Sequence, residues 1–262
     1  MEAKEHTMTM TDRRADLPRA GRADLHMHTH HSDGAPSVRA LLDHVAAHTR
    51  LDVIAITDHD TIQGALEARD IMRHQPYPFE LIVGEEVSTR DGHLVGLFLH
   101  ERVRSGLSAA RSIEEIHAQG GLAFAPHPFF RAYQGEGRPI TMVGLGTMIR
   151  ELKLDAIEVI NATPFLSAAN RRAASYNATT GRLPALGNSD GHILAAVGKG
   201  YTRFPGRSAA ELRSAITLGQ TEAGARDYRT HELLSYLRFW LRQQRRSAPA
   251  PRIERDGTEQ AA

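Results

Sequence analysis

The sequence predicts an α/β protein built on a largely parallel sheet or barrel, and three observations carry that expectation. Short β-branched or aliphatic runs alternate with stretches whose apolar residues recur at helical spacing. Several of the runs end in His, Asp or Asn, where a strand hands its side chains to a loop, and in parallel sheets and barrels such ends converge on one face. Hydrophobic residues make up 41% of the 262 and charged residues 24%, enough apolar material for one well-buried core.

In chain order, residues 1–21 mix charge, Met and Thr without periodicity, and 247–262 are rich in Pro, Ala and charge. Neither can bury enough apolar surface to order itself, so both are expected to be disordered tails around one domain at 22–246. Strands are expected at 22–28, 51–57, 79–83, 93–99, 122–126, 154–160, 183–188 and 201–204. Between them, Val38, Leu41, Leu42 and Val45 form an apolar helical face after Ser37, and a further helix fits 62–72, with Asp60 or Thr61 as its cap. Ser112 with Glu115, and Ser208 with Glu211, have the spacing of capping boxes. A last helix at 233–246 carries Leu233, Leu234, Leu237, Trp240 and Leu241 beside Arg238, Arg242, Arg245 and Arg246, and is expected to pack its apolar face on the domain.

Composition excludes several function classes. With 32 Lys plus Arg against 31 Asp plus Glu, the formal net charge of +1 gives no electrostatic footprint for wrapping long nucleic acid, while small anionic substrates stay open. The chain has no cysteine, which removes disulfides, thiolate metal sites and a Cys nucleophile. No apolar run is long enough for a membrane span, and the polar start lacks the apolar core of a secretory signal, so a cytoplasmic address is the default expectation. Any metal site must be built from Asp, Glu and the 15 histidines.

Five segments place such residues at strand ends. Asp24-Leu25-His26-Met27-His28 sets two imidazoles at i and i+2 on one face, a separation suited to chelating an ion, and Asp33 follows in the turn. The aliphatic run at 54–56 finishes in Thr57-Asp58-His59-Asp60, a cluster that repels itself unless a cation is present. Gly84-Glu85-Glu86 offers a carboxylate after the next strand, and His93 opens the one after it. Pro126 and Pro128 bracket His127, and Asn188-Ser189-Asp190-Gly191-His192 repeats the carboxylate and imidazole two apart. His, Asp and Glu converging from several strand ends is the composition of a Lewis-acid site.

Taken together, these motifs resemble the polymerase and histidinol phosphatase (PHP) family of metal-dependent phosphoesterases, from Ala23 to about Phe204 and in family order. The resemblance implies a small stand-alone member with a distorted (β/α)7 barrel and a trinuclear site on its carboxyl face. His26, His28, Glu86 and Asp190 would hold the first ion, Glu86, His93 and His127 the second, and Asp33, His59 and His192 the third. Glu86 is preferred to Glu85 because the family pattern sets its Glu two after the Gly. One departure stands out: the family's nucleotide and RNA 5′-end hydrolases carry a long helical insert between the positions matching His93 and His127, and here only 33 residues intervene.

The chemistry so implied is hydrolysis of a phosphate ester by a metal-bridging hydroxide, with two or three divalent ions (Mn, Fe or Zn) lowering the pKa of water toward about 7. The expected substrate is a small anionic ester, a nucleotide or short oligonucleotide among them. Asp58 is a candidate catalytic residue, orienting a ligand His. Arg131 is a candidate for catalysis and for clamping phosphate, with Arg171 and Lys199 as further clamps, each otherwise a solvated surface charge. Asn161 either reaches the substrate or caps a turn. Two other readings compete: hydrolysis of a carboxylic ester, amide or carbamate, which an apolar pocket would favour, and a non-catalytic, metal-stabilised accessory module.

Overall fold

The computed structural model describes residues 20–130 and 143–246. The strands are β1 (Ala20–Asp24), β2 (Val53–Ile56), β3 (Glu80–Ser88), β4 (His93–Leu97), β5 (Leu122–Ala125), β6 (Ala156–Asn161), β7 (Ala185–Asn188), β8 (Gly200–Pro205) and β9 (Glu222–Ala225). The α-helices are α1 (Val38–His48), α2 (Gln63–His74), α3 (Ala109–Ala118), α4 (Ser167–Tyr176), α5 (Ala209–Thr217) and α6 (Thr230–Arg246). The strands form one sheet in the order β7-β6-β5-β4-β3-β2-β1-β8-β9.

Within it β1, β2 and β3 run parallel, as do β5, β6 and β7. β4 is antiparallel to both its neighbours, and β8 to both of its own. Half of the pairings are therefore antiparallel, more than a largely parallel sheet would have, and among the described residues the strands number nine where the family resemblance implied seven βα units. The cause is local: β3 and β4 join through a tight turn in which Thr89 N–H donates to the Gly92 carbonyl and Gly92 adopts φ 142°, leaving no room for a crossover helix.

Strand residues of opposite parity enter different cores. Val53 and Ala55 of β2 belong to a cluster that also takes Ala23, Ile82, Val95, Phe124, Ala156, Leu186 and Phe204, so β1 through β8 all contribute to it. A flat sheet could not bring eight strands to one cluster, and the sheet therefore curls into a nearly closed barrel. Leu212, Ala215 and Ile216 of α5 join this cluster. Ile54 and Ile56 face the other way, onto Val38, Leu41, Leu42 and Val45 of α1. At the seam between β7 and β8, Thr202 Oγ1 accepts from Gly187 N–H at 3.1 Å and donates to the Gly187 carbonyl at 3.0 Å. A Cβ at Gly200 would run into the Asn188 carbonyl, so the seam closes only with glycine there.

Several sequence expectations need correction. The strand expected at 22–28 ends at Asp24, because side chains take over the ladder: Asn188 Oδ1 accepts from Leu25 N–H and Thr57 Oγ1 from Met27 N–H. Ser112 does not cap α3; it is buried inside the helix, and the cap is Ser108, which accepts from Arg111 N–H at 3.3 Å. Neither Asp60 nor Thr61 caps α2, whose N-cap position is Ile62 without a side-chain bond: Asp60 accepts from Ser88 N–H, and Thr61 accepts from Gln63 N–H in the turn before the helix. The apolar face of α6 is not packed away: Leu233, Leu234, Leu237, Trp240 and Leu241 are each 42–50% exposed. The capping box of Ser208 and Glu211 is present.

Candidate metal centre

The carboxyl ends of β1, β2, β3, β5, β6 and β7 meet at one end of the barrel. β4 runs the opposite way, so its first residue, His93, lies at that same end. All nine residues read as ligands from the sequence are brought together there. Glu86 sits at the middle, buried, with ring nitrogens of five histidines around its two oxygens. Oε2 lies 3.0 Å from His26 Nε2, 3.3 Å from His28 Nε2 and 3.5 Å from His59 Nδ1. Oε1 lies 2.8 Å from His93 Nδ1 and 3.1 Å from His127 Nε2.

Asp190 Oδ1 approaches His26 Nε2 at 3.5 Å, His28 Nε2 at 3.3 Å and His192 Nδ1 at 3.4 Å. Asp33, half exposed at the rim, faces His192 Nε2 at 3.1 Å, His28 Nδ1 at 3.8 Å and His59 Nε2 at 3.9 Å. Ligand-type atoms thus gather in overlapping groups: His28, Asp33, His59 and His192; His26, Glu86 and His127; His26, His28 and Asp190; His59, Glu86 and His93. The grouping places His28 with Asp33 as well as with Asp190. Three of the residues around the centre hold positive φ: His127 at 28°, Asp190 at 51° and Asp60 at 53°. Such backbone costs of order 1–3 kcal/mol per residue and persists only where surrounding structure imposes it.

Burial disfavours every charge in the centre, yet at Glu86, Asp190, His26 and His28 the partners outweigh it. The Glu86 carboxyl is held well below the usual range by the imidazoles of His59, His26 and His93, and Asp190 likewise by His26, His28 and His192. Conversely Asp190, Glu86 and Glu158 hold His26 well above its ordinary value, and Asp190 and Glu86 raise His28 to about 10. His59 goes the other way, pushed down to about 4 by burial, with His28 and His93 adding to the shift. Without a metal, then, ring protons neutralise the buried carboxylates. Divalent cations supply the same neutralisation, and the donor set of imidazole nitrogens and carboxylate oxygens suits them: both ring nitrogens of His28 and Oδ1 of Asp190 are buried without a well-formed hydrogen bond.

A supporting layer escaped the sequence reading. Glu158, buried in β6, accepts from His26 Nδ1 at 3.2 Å, His127 N–H at 2.6 Å, Asn161 Nδ2 at 2.9 Å and Asn188 Nδ2 at 2.9 Å. It fixes the His26 ring so that Nε2 faces the centre. Its signal was a lone acid within the aliphatic run of β6. Asp24 is also buried, accepting from Ser189 N–H and Gly198 N–H, and burial raises its carboxyl to about 6.

Other candidates have different roles. Asp58 orients no ligand ring; its oxygens accept from Thr29 N–H, Thr29 Oγ1 and Ser32 Oγ, which ties down the loop after His28. Asn161 is buried and donates to Glu158 and Asp190 rather than reaching outward. Lys199 is engaged with Glu232 and the Asp227 carbonyl, so it anchors α6 instead of clamping phosphate. Arg171 is exposed on α4, and Arg131 lies outside the described residues.

With this geometry in place, comparison with known proteins decides the family. A family model described as the PHP domain matches residues 24–138, and one described as PHP-associated matches 167–221. An uncharacterized protein of Methanocaldococcus jannaschii is 39% identical over 152 residues, which cover 54% of this chain and 82% of that one. The chain belongs to the PHP family. Another relative, the 5′-3′ exoribonuclease Rnm of Escherichia coli, is 41% identical over 78 residues, 28% of this PHP protein and 26% of the relative. Among solved structures, a two-domain protein of Bacteroides vulgatus containing a predicted PHP-like metal-dependent phosphoesterase superposes with a TM-score of 0.62. At 20% identity over 85% of this chain and 71% of that one, it shows the shared fold.

Proposed function

We propose that this PHP protein is a metal-dependent hydrolase of phosphate esters, taking a small anionic monoester, nucleotide or short oligonucleotide. The observation that carries the reading is Glu86, a buried carboxylate ringed by five imidazoles, with Asp190 and Asp33 sharing three of those rings or their neighbour His192. His26, His28, Glu86 and Asp190 would hold one ion, Glu86, His93 and His127 a second, and Asp33, His59 and His192 a third, with His28 close enough to join the last. When bound, such ions activate water and neutralise charge on the phosphate oxygens.

The chain's own residues do the rest. Glu86 and Asp190 stay ionised and available as ligands. Glu158 keeps His26 Nε2 aimed inward, and Asn161 holds the second oxygen of Asp190 at 3.0 Å, leaving Oδ1 free to coordinate. Asp58 holds the loop that carries His28 and Asp33. The likeness to an exoribonuclease supports a phosphate ester as substrate. A second reading, carboxylic ester, amide or carbamate hydrolysis, is favoured by two features: the centre borders an apolar cleft, and among the described residues the ion pairs of Glu86, Asp190 and Asp33 are with imidazoles rather than Arg or Lys.

Protein loaded with Mn, Fe or Zn should release phosphate from p-nitrophenyl phosphate or a nucleotide, and Asp190→Asn should lower the rate at least about 100-fold, the scale of losing about 2.7 kcal/mol of charge stabilisation. Cleavage of p-nitrophenyl acetate with no phosphate release would move the protein to the second reading.

A further inference from the structure

Beside the metal centre lies a cleft of about 690 Å³ lined by Phe130, Phe165, Leu233, Tyr236, Leu237 and Trp240 among others. Its volume falls in the range of small-molecule sites, roughly 300–1,000 Å³. Among the described residues no charged side chain lines it, and its polar side chains are Thr163, Thr230 and the Tyr236 phenol. Its wall touches the centre: Thr163 Oγ1 lies 3.5 Å from Asp190 Oδ2, and the Tyr236 side chain is hydrogen-bonded to Thr163. α6 forms one wall and is held across the site, its Phe239 ring 6.1 Å from that of His192 and its Gln243 donating to the Asp33 carbonyl.

The apolar side chains of this wall are left half exposed by the described fold, and Phe165 opposite is 92% exposed. Four of the lining residues are aromatic. Resting on the phosphate-ester reading, the geometry points to this cleft as the subsite for an aromatic organic group on the substrate, packed against Phe165, Leu237 and Trp240 while the phosphate meets the cations that Asp190 and Glu86 would hold. An aromatic group gains from offset or edge contacts with these rings, whereas the hydroxyls of a glycerol or hexose phosphate would lose water here without finding partners.

Trp240 is the sole tryptophan, so its fluorescence reports the cleft directly. The test titrates metal-loaded full-length protein with 4-nitrobenzylphosphonate, which cannot be hydrolysed at phosphorus, and with methylphosphonate. It also compares KM for p-nitrophenyl phosphate with KM for glycerol phosphate. Saturable quenching by the aryl phosphonate is expected, weakened at least about tenfold in Leu237→Ala and in Leu233→Ala, the lower end of what loss of apolar pocket contacts does to discrimination. The ratio of the two KM values should rise about as much. Quenching and KM ratio unchanged in both variants would overturn the subsite, as would a change in oligomeric state without a change in quenching, which would make the face a contact between copies. No phosphate release from any ester by the unmodified protein would instead overturn the phosphate-ester reading, and quenching, read on binding alone, keeps the two failures apart.

Discussion

Glu158 shows how one buried acid sets the chemistry of residues far away in sequence. It accepts four hydrogen bonds, two of them from the proposed ligand residues His26 and His127, so its removal frees a ring that a metal would need held. Glu158→Gln keeps the volume and changes only the acceptor pattern; metal affinity measured by calorimetry should fall about 10–100-fold while circular dichroism stays native. Protonation gives a second prediction at this scale. His28, raised from 6.5 to about 10, contributes stability that is fully present below about 6.5 and is lost as pH rises through about 10. Glu86 and Asp190, held low, contribute stability present above the ordinary carboxylate range and lost as pH falls below it. His59, pushed down to about 4, works against stability below 6.5. The chelated protein should therefore lose thermal stability between about pH 6.5 and 10, and metal-loaded protein, whose rings are already deprotonated, should lose less. Metal affinity should rise with pH over the same window, with proton release visible in calorimetry run in buffers of different ionisation enthalpy.

At the scale of elements, the seam between β7 and β8 is closed by side chains rather than by a ladder, and Thr202 makes both of its bonds to Gly187. Thr202→Val is nearly isosteric but leaves a buried N–H and carbonyl unpaired, so unfolding free energy should drop by about 1–3 kcal/mol in a denaturant titration. The elements also show what sequence patterning can and cannot reveal. β2 was legible because Val53, Ile54, Ala55 and Ile56 are β-branched or apolar and all buried. β9 was not, because Glu-Ala-Gly-Ala has neither alternation nor β-branched residues, and its strand form is imposed by pairing with β8. The candidate ligands stood out in the sequence for a different reason: a His or acid ending an apolar strand has no packing role. Glu158 and Asn161 fall inside or at the end of β6 and bond to other side chains, and periodicity carries no record of such partners. The cap of α3 was misplaced because Ser108 and Ser112 lie one turn apart and only packing distinguishes the buried one. For α6 the amphipathic pattern was real, but an apolar stripe does not say whether the domain or a ligand covers it.

For the whole molecule, the barrel turns residues drawn from His26 to His192 into one centre, and β4 reverses direction so that His93 can join it. Closing such a barrel crowds buried carboxylates at one end, and that charge must be matched by ring protons or by cations. The metal is thus tied to folding as well as to chemistry, since it binds an arrangement the unfolded chain lacks. The most direct test is metal content by mass spectrometry on protein purified without chelator and then loaded with Mn, Fe or Zn, beside Glu86→Gln treated identically. Two or three equivalents per chain, falling to less than one in the variant, is the expected result. No bound metal after loading, or equal content with and without the Glu86 carboxylate, would contradict it.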